Sequence, residues 1–354
     1  MKAAVYYGPN KVEIDDVAEP DPRPGTVKLK VGFNGICGTD LHEYYAGPIF
    51  IPTQPHPLTG AELPLTIGHE FSGTITAVGG DGGVTGWAEG DRVAVEPIYK
   101  CDHCGPCRAG NYNVCQQIGF HGLMSDGGMA EYTVVPTSML HKLPGNVSLE
   151  LGALVEPMSV AYHAATLGDV HPGDTAMVFG AGPIGIGLWF ALRGKGLDDV
   201  LVVEPSPTRR AAIEALGAKT LDPAALDVPG FIAEHTGGNG ADAVFDAAGL
   251  TPPAVATALA CVGSRKPTIS VAIYEKKSLE TPLLNLVMNE SRIQGSLCYT
   301  GADFDAVIAL MADGKYDTTG WVTRIPIDDV VDEGFEALHA GTKMKVLVDP
   351  NGES

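Results

Sequence analysis

The 354-residue chain is 45% hydrophobic, enough to bury the cores of two ordinary domains. Lysine and arginine total 23 against 43 aspartates and glutamates, a formal charge of −20, which repels phosphate backbones and anionic membranes and argues against nucleic acid as a partner. The longest apolar run, Ala176 to Leu192, falls short of a membrane span, and its four glycines and Pro183 suit strand, turn and helix instead. The start, MKAAVYYGPNKVEID, lacks a signal-peptide core. These features lead us to expect a soluble chain without membrane contact, in a reducing compartment, the cytoplasm by default.

The first 150 residues read as β-rich. Val27, Leu29, Val31 and Phe33 alternate with Lys28, Lys30 and Gly32, a period-two pattern with one apolar face. FSGTITAVG and DRVAVEP are further short strands, parted by turns such as GGDGGVTG. Many short strands without long helices suggest a small barrel or sandwich. Within this region GICGTDLHE carries Cys37, Thr39 and His42, and TIGHEFSG carries His69 and Glu70. Each is ambiguous alone, because an isolated cysteine or histidine serves a core as readily as a metal.

The stretch CDHCGPCRAGNYNVC is more specific. Cys101, Cys104, Cys107 and Cys115 follow a C-x2-C-x2-C-x7-C spacing. Short loops let their thiolates converge on one tetrahedral zinc, and four sulfurs leave that ion no open position, which marks a structural site. Unpaired or disulfide-linked cysteines are the competing reading.

Near residue 157 the pattern changes to alternating strand and helix: TAMVFG then PIGIGLWFALRGKG, VLVVE then PTRRAAIEALGA, ADAVFDAAG then PPAVATALACVG, then TISVAIY. This is the rhythm of βαβ units around a parallel sheet. GAGPIG ends one strand and opens a helix, so Gly180, Gly182, Pro183, Ile184 and Gly185 form a dinucleotide-binding turn. Gly180 and Gly182 allow close backbone approach to a pyrophosphate, and Gly185 allows close helix–strand packing. Glu204, nineteen residues beyond Gly185, ends the next strand and suits the adenosine ribose hydroxyls, favouring NAD over NADP. Arg209 and Arg210 compete with that reading, since a guanidinium can receive a phosphate; a solvated helix face is their other role. After SRIQGSLCY comes one clear helix, DFDAVIALMADG, then mixed strands. LVEPMS sets Glu156 at the hinge between the two regions.

In order along the chain, GHE, the GDRV turn, the four-cysteine lobe and GAGPIG resemble the zinc-dependent medium-chain alcohol dehydrogenases. The likeness runs over essentially the whole length. It implies an α/β plus β architecture: a GroES-like β-barrel catalytic domain over 1–156 with a structural zinc lobe at about 97–117, a Rossmann NAD-binding domain over 157–297, and a return to the catalytic domain over 298–354. Cys37 and His69 match two catalytic-zinc ligands. The third position, a cysteine in the most familiar members, is Glu156 here, as in the polyol and butanediol branches. Glu70 is either a neighbour of the ion or an exchanging ligand. Two zinc ions per chain are implied, one catalytic and one structural. Thr39 and His42 match a proton relay from substrate to solvent, and backbone near Val271 and Leu297 matches contacts to the nicotinamide carboxamide. The segment EYYAGPIFIPTQPHPLTG resembles that of the butanediol branch, implying oxidation of a small secondary alcohol to a ketone, butanediol to acetoin. Sorbitol-like polyols or threonine are the alternatives, and a zinc-stabilised redox sensor is the non-enzyme reading. Relatives of this kind imply a homodimer or homotetramer.

Overall fold

A computed structural model describes residues 1–80, 85–249, 252–273 and 281–352. Residues 81–84 of the turn read from GGDGGVTG, and Tyr274 of TISVAIY, lie outside the described residues. The chain forms two compact units, the first of Met1–Glu156, Thr300–Asp313 and Trp321–Ser354, the second of Pro157–Tyr299 and Gly314–Gly320.

The first unit is built on a mainly antiparallel sheet in the order Leu140–Lys142, Arg92–Val95, Glu70–Val78, Thr26–Gly35, Lys345–Asp349, Val322–Pro326, with Tyr132–Pro136 also paired to Thr26–Gly35. Val27, Leu29 and Val31 are fully buried, as alternation requires. The pattern then breaks. A β-bulge between Val31 and Phe33 adds one residue against the partner strand, so Asn34 turns inward and Phe33 outward, where the Arg324 guanidinium lies 5.7 Å from its ring. The tail returns to this sheet through Lys345–Asp349, which pairs Leu347 with Gly35 and Val348 with Asn34. Between the two tail strands the expectation of mixed strands fails: residues 327–339 are helical, with a wide π turn over Val330–Glu336. Phe335 from that turn is buried and stacks on Tyr44 with ring centroids 5.0 Å apart, so tertiary packing sets this segment.

The second unit holds a six-stranded, all-parallel sheet. Its strands are Thr175–Phe179, Asp199–Val203, Lys219–Leu221, Ala243–Asp246, Pro267–Ser270 and Arg292–Gly295. Counted in that sequence they lie in the order 3-2-1-4-5-6, which is the doubly wound Rossmann sheet. Met177, Phe179, Leu201, Val203 and Val244 form its core, giving the near-continuous apolar strands of a sheet covered on both faces. The helix over Pro183–Gly194 follows the first strand, and that over Pro207–Ala215 the second.

Candidate active site and metal centres

Cys37 is the N-cap of the helix Gly38–Ala46, and Asp40 at the third helical position accepts its backbone N–H at 2.9 Å. The same carboxylate points its other oxygen at His69: Asp40 Oδ1 and His69 Nδ1 stand 3.5 Å apart, both buried and without a hydrogen-bond partner. One aspartate therefore fixes Cys37 from its backbone and faces His69 from the side. The sequence reading missed Asp40, although an acidic residue three positions after the residue that opens a helix is a capping signal. Thr39 Oγ1 lies 3.7 Å from Cys37 Sγ, and His42 is half-buried one turn further on.

His69 follows a crowded turn. Gly68 has φ +104°, and a Cβ on Gly122 or Gly127 would fall 2.0 or 2.3 Å from the Gly68 carbonyl oxygen. Glycines from HGLMSDGG thus let a second loop close over the backbone that aims His69. Burial disfavours charge on His69, but Asp40 and Cys37 outweigh it and hold its pKa well above 6.5.

Glu70 opens the strand Glu70–Val78 and is 1% exposed. Its Oε2 forms an ion pair with the buried Lys345 Nζ, which also donates to the Ile36 carbonyl at 2.9 Å. Burial lowers the Lys345 pKa, yet Glu70 and Cys37 raise it above the ordinary value. Lys345 was not singled out from the sequence, where a lysine in an apolar tail strand carries no signal. Ligand atoms of Cys37, His69 and Glu70 all lie within 4.8 Å of one another. Glu156, 7% exposed on the helix Leu149–Leu167, is outside that group, and its charge acts on Lys345.

The four cysteines of the lobe converge. Cys101 and Cys107 sulfurs are 4.0 Å apart, and Cys104 and Cys115 sulfurs 3.9 Å. A disulfide needs about 2.05 Å, whereas tetrahedral ligands at about 2.3 Å from zinc sit about 3.8 Å from each other. Backbone N–H groups of Cys101 and Gln117 donate to Cys115 Sγ, and that of Cys104 to Cys101 Sγ, at 3.3–3.4 Å. Such donors favour thiolates, and amides of Gln116 and Cys107 lower the Cys104 pKa. The donor set fits a closed zinc site.

In the second unit the three glycines of GAGPIG have separate reasons. Gly180 has φ +102°; a Cβ on Gly182 would meet nothing within 4 Å; one on Gly185 would lie 1.9 Å from the Gly180 carbonyl. Gly182 thus has an open side, and no side chain caps the helix that Pro183 and Ile184 begin, which leaves room and free N–H groups for an anion. Glu204 is 3% exposed, and its carboxylate accepts N–H bonds from Ala181 and Ser206, each 2.8 Å long. A carboxylate has about four acceptor sites, so it keeps capacity for ribose hydroxyls. Arg209 is exposed, whereas Arg210 turns back onto the protein. Val271 and Leu297 follow the fifth and sixth strands at their carboxyl ends. The Val271 N–H is already engaged with the Asp246 carbonyl at 2.9 Å, and Leu297 is 49% exposed.

A GroES-like barrel domain, a Rossmann sheet, a four-thiolate lobe and a Cys–His–carboxylate cluster together define a zinc-dependent dehydrogenase. Residues 23–145 match the alcohol dehydrogenase GroES-like domain and residues 183–313 the zinc-binding dehydrogenase domain. The chain belongs to the zinc-dependent medium-chain alcohol dehydrogenase family. It is 42% identical to the (R,R)-butanediol dehydrogenase of Bacillus subtilis, over 99% of this chain and 100% of that protein. A crystal structure of 2R,3R-butanediol dehydrogenase from Bacillus subtilis superposes with a TM-score of 0.92 at 42% identity, covering 99% of each chain. A putative zinc-binding dehydrogenase from Sinorhizobium meliloti, bound to NADP, superposes with a TM-score of 0.88 at 28% identity, covering 99% of each chain.

Proposed function

We propose that the protein oxidises 2,3-butanediol to acetoin with NAD, reversibly, and carries one catalytic and one structural zinc. The observation that carries this is the convergence of Cys37, His69 and a buried carboxylate, on a chain alike over its whole length to butanediol dehydrogenases. When bound, zinc supplies Lewis acidity toward the substrate oxygen and the nicotinamide accepts hydride.

The residues divide the remaining work. Asp40 faces Nδ1 of His69, leaving Nε2 for the ion. Glu70 and Lys345 cancel each other, so Cys37 and Glu156 are the anions that balance the two charges of zinc. On this reading Glu156 is the third ligand and Glu70 lies behind it, held by Lys345, although distance alone favours Glu70. Thr39 takes the alcohol proton and His42 carries it toward solvent. Glu204 accepts from the ribose hydroxyls and disfavours a 2′-phosphate. The fold itself takes either nucleotide, as the NADP-bound relative illustrates.

No helix among the described residues is long and apolar enough to cross a membrane. Thiolate ligands require reducing conditions, which suits the cytoplasm. We also read the protein as a homo-oligomer. The strand Arg292–Gly295 is an edge of its sheet, and beside it in sequence Leu283, Leu284, Val287 and Met288 are 66–73% exposed on one short helix.

The test is a rate survey over butanediol stereoisomers, acetoin, sorbitol and threonine with both nucleotides, alongside zinc analysis. Butanediol and acetoin should dominate, with two zinc ions per chain. One zinc per chain, or faster sorbitol or threonine turnover, would overturn the assignment. Glu156→Ala should lose the catalytic zinc, whereas Glu70→Ala should retain it.

A further inference from the structure

Arg210 lies on the helix Pro207–Ala215, yet its guanidinium does not face outward. Nη1 donates to the carbonyl oxygens of Glu204 at 2.7 Å and Pro205 at 2.8 Å. Nη2 stands 2.9 Å from Asp222 Oδ2. Asp222 directly follows the third strand of the parallel sheet, Lys219–Leu221, and its Oδ1 accepts the Ala224 N–H at 2.9 Å. The Glu204 N–H donates to the Leu221 carbonyl at 3.1 Å. Arg210 and Asp222 side chains are only 18% and 30% exposed. Two adjacent strand ends are thus joined by one planar fork, directly under the turn that presents the Glu204 carboxylate.

We infer that Arg210 is a positioning residue for nucleotide discrimination. With Asp222 it fastens the Glu204–Ser206 turn, so that the carboxylate meets the adenosine ribose from a single place. The same three contacts hold the guanidinium back on the protein and leave fewer donors for a 2′-phosphate. This rests on the proposed binding of the nucleotide through Glu204. An arginine free to receive phosphate would leave its fork unfilled, whereas three of the five donors of this one are already engaged and hold it against Glu204, Pro205 and Asp222. Lysine cannot reproduce the fork, because it offers a point charge and no planar pair of donors. Arg209, exposed on the same helix, has no such constraint in its surroundings and serves as the internal comparison.

The test is fluorescence titration of the zinc-loaded protein with NADH and NADPH, which reads dissociation constants independently of turnover. Arg210→Met should weaken NADH by about tenfold while NADPH binding stays near its native value, so the preference narrows. Asp222→Ala, which leaves the arginine in place, should shift the ratio the same way. The double variant should go no further than the larger single change, because both act through one contact. Arg210→Lys should not restore the ratio. If Arg210→Met weakens NADPH more than NADH, Arg210 is a phosphate receptor and the inference is wrong. If the thermal midpoint falls and the ratio does not move, the fastening serves stability alone and the inference is also wrong. Glu204→Gln separates the two levels. An unchanged ratio in that variant overturns the Glu204 reading and this one with it, whereas a collapsed ratio there and none in Arg210→Met overturns only this one.

Discussion

At the scale of single residues, the buried Lys345–Glu70 pair lies within electrostatic reach of Cys37. Its members are 3% and 1% exposed at the side chain. Removing one partner of such a pair strands the other charge, which costs about 3–5 kcal/mol. Lys345→Met should therefore lower stability in urea by that order, and Lys345→Met with Glu70→Gln together should recover much of it. A single variant as stable as the native protein would show that Glu70 is protonated or otherwise paired. His42 makes a different kind of residue-scale prediction. If it ends the proposed proton relay, its replacement by alanine should slow alcohol oxidation roughly ten- to a hundred-fold. The defect should shrink as pH rises and hydroxide takes the proton, and imidazole buffer should restore part of the rate. An unchanged pH–rate profile would make His42 a surface residue.

At the scale of elements, the four-cysteine lobe is tied to the helix Gly301–Ala312 by a chain of polar contacts. Tyr112, inside the lobe, donates to Glu96 at 2.6 Å; Glu96 faces His141 Nε2 at 2.9 Å; His141 Nδ1 faces Asp305 of the helix at 2.7 Å. The Tyr112 hydroxyl also accepts the Gly301 N–H at the helix start, and His141 packs on Phe304 with centroids 4.7 Å apart. Burial lowers the His141 pKa, but hydrogen bonds to Glu96 and Asp305 outweigh it and raise the value above 6.5. A group whose pKa is raised by folding stabilises fully while charged in both states and loses that contribution as pH climbs through the folded value. Stability should thus fall from pH 6.5 upward, an effect tempered because Asp305 is 72% exposed. Urea midpoints of native protein and His141→Gln across that range check it. Equal slopes in both would remove His141 as the cause.

At the scale of the whole molecule, the apolar helix Leu283–Asn289 next to an edge strand is the feature that a single chain leaves unexplained. Val287 is 73% exposed. Buried in a partner interface, it would not tolerate a charge, so Val287→Glu should convert the oligomer toward monomer in sedimentation experiments while nucleotide binding persists. A native protein that sediments as a monomer would sink this reading.

The sequence by itself determined what depends on local spacing. The four-cysteine lobe, the glycine turn and the two classes of domain follow from short motifs and periodicity, because a loop of two residues or a strand–turn–helix constrains its own geometry. It could not show that Asp40 faces His69, that Lys345 neutralises Glu70, or that Arg210 belongs to Asp222. Those partners stand 29, 275 and 12 residues apart, and no periodicity relates them. It also missed the inward turn of Asn34 and the helical stretch over 327–339, where a bulge and the burial of Phe335 override local pattern. Tertiary structure decided these because a buried charge or ring is settled by whatever the fold brings beside it, not by its neighbours in the chain.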